Sequence, residues 1–384
     1  MIVEAEASGR RRFLFISNGH GEDAIAAAVI ARLPDSVAAE AYPMIGAGNS
    51  YAGVCPIVGP RATLASEGWR NVKGSLRRDL ATGGLRTVPP ALNFLRKTVG
   101  KYDRVVVVGD MVGVMASYLT GHRDLYYLDV YKTGAARLYS GPERWTIKQA
   151  CKTVFCRSDN LARTLEHIGV DARSAGNVMM DAIPHGEYDA RGRRSRPLAV
   201  TLLPGSRALT AESFALQVEA LRTLPAELRP DVFLAVAGSA NVEELAKKAG
   251  LTRTAMLSAE ASDLGELSDG DLTIRMARGG AMGNLLAASD IVLSQAGTAT
   301  VQALGLGKPA ITFINPRDRR SRFTDEQMLF GEARVVVPAE APAVGAALRA
   351  LLSDDEERRR LANIGRQRIG GPGAMHAIID ALMG

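Results

Sequence analysis

Short, unbroken apolar runs alternate with helix-period stretches along the whole chain. In the first half the runs predict strands at Phe13–Ile16, Val105–Val108, Leu125–Leu128 and Thr153–Cys156. In the second half they predict strands at Leu198–Leu203, Val232–Ala237, Leu272–Arg275, Ile291–Leu293, Ala310–Phe313 and Arg334–Val337. Strands without polar alternation are apolar on both faces, which is the pattern of parallel sheets covered by helices above and below. The first helix agrees, with Ile25, Val29 and Leu33 recurring every four residues as a core stripe. Between the halves, Arg191-Gly192-Arg193-Arg194-Ser195-Arg196-Pro197 is charged, glycine-containing and closed by proline, and reads as a linker. The expected architecture is α/β, with two Rossmann-like domains at 1–190 and 198–370 and a last helical segment at 371–384.

Many of the runs end in Gly, Ser or Asp, and in open parallel sheets the carboxyl ends of the strands hold ligands. Two such domains facing each other make a cleft lined by these loops. The first loop, Asn18-Gly19-His20-Gly21-Glu22-Asp23, sets a histidine between two glycines. That leaves His20 open to take a proton from a hydroxyl. Glu22 and Asp23 read as first-turn charges favourable to the helix dipole. Asp110 follows Val105–Val108 and Gly109, where it serves as a general base, orients a histidine or caps the next helix. In the second half, Leu203-Pro204-Gly205-Ser206-Arg207 leaves a strand with a tight-turning glycine and a planar cation matched to a diphosphate. Gly238 closes another strand. Ser294 to Gln302 follows Ile291–Leu293 and opens a helix, so the small residues Gly297, Thr298, Ala299 and Thr300 leave N–H groups at a helix start for phosphate. Asp269-Gly270-Asp271 has the spacing of a metal ligand pair, but it precedes its strand and so falls at the wrong end of the sheet.

Composition narrows the class. Of 384 residues, 47% are hydrophobic and 23% charged, as in soluble globular proteins of two-domain size. Three cysteines without metal-ligand spacing fit a reducing cytoplasm, with no metal and no cofactor expected. Glu4 and Glu6 ahead of Arg10–Arg12, with only a short apolar run behind, do not read as a targeting segment. The net charge of +6 sits almost wholly in 61–101, where Arg61, Arg70, Lys73, Arg77, Arg78, Arg86, Arg96, Lys97 and Lys101 face only Glu67 and Asp79. Trp69, Leu76, Leu80, Leu85, Leu92, Phe94 and Leu95 are interspersed, a mixture suited to an anionic membrane surface or to a solvated helical face. With one Trp, one Phe and no Tyr to stack bases, the segment is not expected to bind nucleic acid.

Three stretches in this order resemble the lipid-A-disaccharide synthase family: Ala175–Pro184 (AGNVMMDAIP), Leu202–Arg207 (LLPGSR) and Ser294–Ile311 (SQAGTATVQALGLGKPAI). The run VVVVGDMVG is similar to the family's strand-ending aspartate motif, and Asn177 stands where the family has histidine. The opening loop is more similar to the Gly-Gly-His loops of peptidoglycan and glycolipid glycosyltransferases. The resemblance implies a GT-B fold, two Rossmann-like domains facing a central cleft, with a UDP-sugar donor on the second domain and a lipid or lipid-linked acceptor on the first. It carries the essential aspartate onto Asp110 and the family arginine onto Arg207, and it suggests a homodimer. Gln302 replaces the glutamate that such enzymes commonly offer to the donor ribose. The expected roles are therefore His20 or Asp110 as base, with Asn18, Gly19, Gly21 and Glu22 on the acceptor side. Gly205, Ser206, Arg207, Gly238, Gly297, Thr298, Ala299, Thr300 and Gln302 are expected to bind the donor. The activity expected is inverting glycosyl transfer at the inner face of the cell membrane. A non-hydrolysing UDP-sugar 2-epimerase and a non-catalytic nucleotide-sugar binder are the alternatives.

Overall fold

In the computed structural model, which describes residues 9–62, 84–205, 209–238, 240–254, 260–314 and 320–384, the apolar runs become strands of two sheets, all of them inner except the last, which forms a sheet edge. The chain divides into unit 1 (Met1–Ala182, Arg319–Asp325, Pro372–Gly384) and unit 2 (Ile183–Asp318, Glu326–Gly371).

Unit 1 carries β1 (Arg11–Ser17), β2 (Val37–Pro43), β3 (Arg104–Gly109), β4 (Leu125–Asp129), β5 (Cys151–Phe155) and β6 (Asp171–Arg173), all parallel, in the order β2-β1-β3-β4-β5-β6. Phe13 to Ile16 of β1 and Val106 to Val108 of β3 are buried, because helices cover both faces. The helices that concern the site are α1 (His20–Ile30), α2 (Val88–Thr98), α3 (Met111–Leu119) and α4 (Gly141–Ala150). α1 stops before the expected Leu33, which lies half-buried beyond the helix and ahead of Pro34, a position that disfavours helical backbone.

Unit 2 carries β7 (Ala199–Leu203), β8 (Asp231–Val236), β9 (Thr252–Arg253), β10 (Asp263–Ser268), β11 (Thr273–Arg278), β12 (Ile291–Ser294), β13 (Ala310–Ile314) and β14 (Arg334–Pro338). Their order is β14-β13-β12-β7-β8-β11-β10-β9, parallel except that β10 runs antiparallel to both neighbours. The sheet is thus mixed at one edge, where uniformly parallel strands were expected. The sequence pattern misses β2, β6, β9 and β10: β2 is rich in alanine, β6 and β9 are three and two residues long, and Gly265 breaks the β10 register with a bulge.

The segment 191–197, expected as a flexible linker, is anchored on unit 2. Arg193 pairs with Asp263 (2.8 Å), Arg194 with Asp290 (3.0 Å), and the N–H groups of Ser195 and Arg196 donate to Asp231 (2.7 and 2.6 Å). Arg193 and Arg194 are structural counter-ions, while Arg191 and Arg196 stay exposed.

The C-terminal helix (Ala374–Met383) belongs to unit 1. The Asp181 carboxylate accepts from Gly373 N (2.9 Å) and Met375 N (3.3 Å), and Arg11 of β1 donates to the Met383 carbonyl (2.9 Å). No helix among the described residues is long and apolar enough to cross a membrane.

Candidate functional site

On unit 1 the opening loop meets the end of β3. Asn18 Nδ2 donates to Asp110 Oδ1 (3.2 Å), and the same oxygen accepts from Val112 N (2.9 Å), making Asp110 the N-cap of α3. Of the three roles open to Asp110, capping is therefore present in the structure. Gly109 sits at φ +135°, and a Cβ there would come 3.1 Å from Glu22 Cγ; Tyr127 OH donates to its carbonyl at 3.2 Å. Gly19, at φ +156°, also faces Glu22: an added Cβ would lie 2.7 Å from Oε2. Glu22 thus lies across both glycines, between β1 and β3, rather than standing free on the first turn. His20 opens α1 and Gly21 follows it in the helix; the His20 side chain is outside the described residues.

Asp23 stands in the first turn of α1, as expected, but it faces the core. It is fully buried, accepts from Ser17 Oγ (2.6 Å), and that hydroxyl also bonds Tyr51 OH (2.6 Å). Burial pushes the Asp23 carboxyl up to about 7; the Ser17 hydroxyl pulls against this and the Glu22 charge adds to it. The sequence signal was present in the stretch SNGHGED, but the inward turn of the second acid is a packing outcome that spacing alone does not encode.

On unit 2 the loops after β7 and β12 meet. Gly205 sits at φ +101°, and a Cβ there would lie 3.7 Å from the Gln295 carbonyl oxygen. The Gln295 N–H donates back to the Leu203 carbonyl (2.8 Å), so the two loops are joined by backbone as well as by proximity. Gln295 Nε2 donates to Phe313 O (2.9 Å), which ties the loop to β13. The helix Thr298–Gly305 then starts at Gly297 with no side-chain cap. Gln295 to Ala299 are half-exposed, so the N–H groups of that first turn are open to a ligand. Thr300 was expected to bind the donor. It is buried instead, bonded to Ser294 Oγ (2.6 Å) and to the Ala296 carbonyl (2.5 Å), and it braces the turn from within. Gln302, further along the helix, is also buried. Gly238 follows β8, and a Cβ there would meet open space. Ser206 and Arg207 lie outside the described residues, as do 63–83 of the basic segment.

The structure therefore brings Asn18, Gly19, Glu22 and Asp110 together on unit 1, and Gly205 with Gln295–Ala299 on unit 2. Asp269-Gly270-Asp271 forms the β10–β11 hairpin turn, where Asp269 Oδ1 accepts from Asp271 N (3.1 Å) and Leu272 N (2.9 Å). Among the described residues no group of three His, Cys, Asp or Glu side chains is placed to hold a metal ion. In the motif Ala175–Pro184, Asn177 caps the short helix Val178–Asp181 through Met179 N (3.1 Å), and Asp181 caps the C-terminal helix, so these polar residues hold structure.

No protein-family model and no curated protein matches the chain. Solved structures do. The glycosyltransferase SnogD from Streptomyces nogalater is 18% identical, with a TM-score of 0.56 over 98% of this chain and 100% of that one. MnaA of S. aureus, solved with UDP, is 13% identical, with a TM-score of 0.59 over 97% and 96%. A putative UDP-N-acetylglucosamine 2-epimerase from Listeria monocytogenes is 13% identical, with a TM-score of 0.60 over 97% and 96%. At such identities the likeness speaks for the fold, and the fold of this chain is GT-B.

Proposed function

We propose that the chain is an inverting glycosyltransferase that moves a sugar from a UDP-sugar to a lipid or lipid-linked acceptor. The observation that carries this reading is the open start of the helix Thr298–Gly305 beside Gly205, a small-residue anion cradle on a GT-B unit. The donor diphosphate rests on the N–H groups of that turn, with Arg207 supplying the cation. On unit 1 the acceptor hydroxyl lies at the opening loop. Its oxygen attacks the anomeric carbon, the bond to the diphosphate oxygen breaks, and the hydroxyl proton passes to His20. Asp110, already engaged with Asn18 and the start of α3, orients the loop. Negative charge grows on the departing diphosphate, where the helix start and Arg207 stabilise it.

The lipid side of the reading has its own support. On α3 the exposed positions Val112, Met115 and Leu119 are all apolar, and Leu119 is 70% exposed. Trp145 of α4, 56% exposed, packs edge-on against Tyr118, whose ring also carries the Arg123 guanidinium. Across α2, α3 and α4 the single acid is Glu143, and it is neutralised by Lys132 at 2.8 Å. An apolar stripe among unopposed cations suits an anionic bilayer. By contrast Leu95 of α2 is buried and Phe94 packs on Tyr42, so these two serve the core. The proposed contact surface thus extends beyond 61–101 to α3 and α4.

Incubation with radiolabelled UDP-sugars and a lipid extract tests the activity: a sugar-labelled lipid supports it. Epimerised UDP-sugar formed without any acceptor supports the epimerase reading, which the Listeria likeness keeps in view.

A further inference from the structure

The amino edge of the unit 2 sheet gathers cations that the donor reading does not use. β12 and β13 pair Val292 with Ala310, which sets Lys308, just ahead of β13, beside Asp290, just ahead of β12. Lys308 is half-buried, and no hydrogen bond or ion pair reaches its ammonium among the described residues. Burial holds its pKa below the ordinary value; Asp290 pulls against this, and Arg191, Arg366 and Arg194 add to it. Asp290 is already taken, since its Oδ2 accepts from Arg194 (3.0 Å) and from the Ala199 N–H (2.8 Å). Arg191 is exposed and its side chain has no partner among the described residues; nearby Asp189 turns onto the Gly192 N–H instead (2.8 Å). Arg366 is placed by packing. Its neighbour Gly365 lets the helix Asp355–Ile369 cross the end of the helix Thr298–Gly305, where a Cβ would come 2.6 Å from the Leu304 carbonyl oxygen. The Arg366 guanidinium then lies over Gly307, with Nε 2.6 Å from where a Cβ would stand, and its one side-chain bond among the described residues is to Asn363 (3.1 Å).

Cations often gather at a helix end, but the carbonyls here are met by backbone: the N–H groups of Gly307 and Lys308 donate to Leu304 and Ala303, at 2.9 Å each. A partly desolvated ammonium beside two guanidiniums is unfavourable until an anion joins them. The donor cradle is a different place. It follows the other end of β12, a strand of four residues, about 13 Å away. We propose that Lys308, Arg191 and Arg366 form a second oxyanion site on unit 2, which takes a phosphate-bearing ligand, either a free oligophosphate or a phospholipid headgroup. Two guanidinium forks and an ammonium match a group with several charged oxygens. This site does not rest on the donor reading above.

Inorganic pyrophosphate is titrated, with UDP at saturation, into wild type and the double variant Lys308→Gln with Arg191→Gln; this tests for a free ligand. Flotation with phosphatidylglycerol and with phosphatidylcholine vesicles tests for a headgroup. The expected result is pyrophosphate binding weakened about tenfold or more in the variant, with UDP affinity unchanged. If pyrophosphate does not bind wild type, the variant is expected to lose retention several-fold on the phosphatidylglycerol vesicles alone. Without ligand the variant is expected to melt at or above the wild-type temperature, because a repulsion is removed. A lower melting temperature assigns these cations to the fold and overturns the proposal. So does a variant that matches wild type in both pyrophosphate binding and vesicle retention. A protein that binds no UDP defeats the donor reading alone, and the same pyrophosphate comparison without UDP then decides this one.

Discussion

At the residue scale, Asp23 makes the sharpest prediction. Its carboxyl is held near 7 in the folded chain against an ordinary value near 3.8. The folded state therefore keeps a proton that the unfolded state releases, and stability falls as pH rises from about 4 to 7, then levels. The loss from this one group is on the order of 4 kcal/mol. Urea denaturation of Asp23→Asn at pH 4 and pH 8 checks it: the variant gains on wild type as pH rises, and parallel curves contradict the assignment. Gly109→Ala is expected to destabilise by ~1–3 kcal/mol in the same assay, because φ +135° suits glycine and the new Cβ crowds Glu22. The glycines and acids of the opening loop were legible in the sequence. The direction each acid faces was not, because that depends on β3 lying beside β1.

At the element scale, apolar runs with no alternation announced every inner strand of both sheets but β10, and the edge strand β14 as well. The strands they missed were harder, since β6 and β9 are very short and β10, next to the edge, carries a bulge; none buries enough apolar surface to leave a pattern. Caps were also hidden. Asp181 lies 192 residues from Gly373, so no local window links them. Asp181→Ala is expected to cost about 1 kcal/mol and to loosen the C-terminal helix. Amide exchange over Ala374–Met383 checks this, and unchanged protection contradicts it.

At the scale of the whole molecule, two α/β units each gather small and polar residues at the carboxyl ends of their strands. That arrangement was readable from the repeated pattern of apolar run followed by Gly, Ser or Asp. The apolar face of α3 was not, because nothing in the sequence sets Val112, Met115 and Leu119 apart from core positions; the sheet does so by taking the opposite face inward. Leu119→Ser with Met115→Ser is expected to cut retention on anionic liposomes several-fold without changing the melting curve. Retention equal to wild type contradicts the lipid-facing assignment.

Every step of the proposed transfer depends on unit 2 binding a nucleotide-sugar donor, and calorimetric titration of UDP into wild type and Arg207→Ala puts that dependence to the test. Wild type is expected to bind UDP, and Arg207→Ala to bind it more weakly, with transfer by the variant slowed by about 3 kcal/mol at the transition state. A folded wild-type protein that binds no UDP contradicts the donor assignment, and the proposed transfer falls with it.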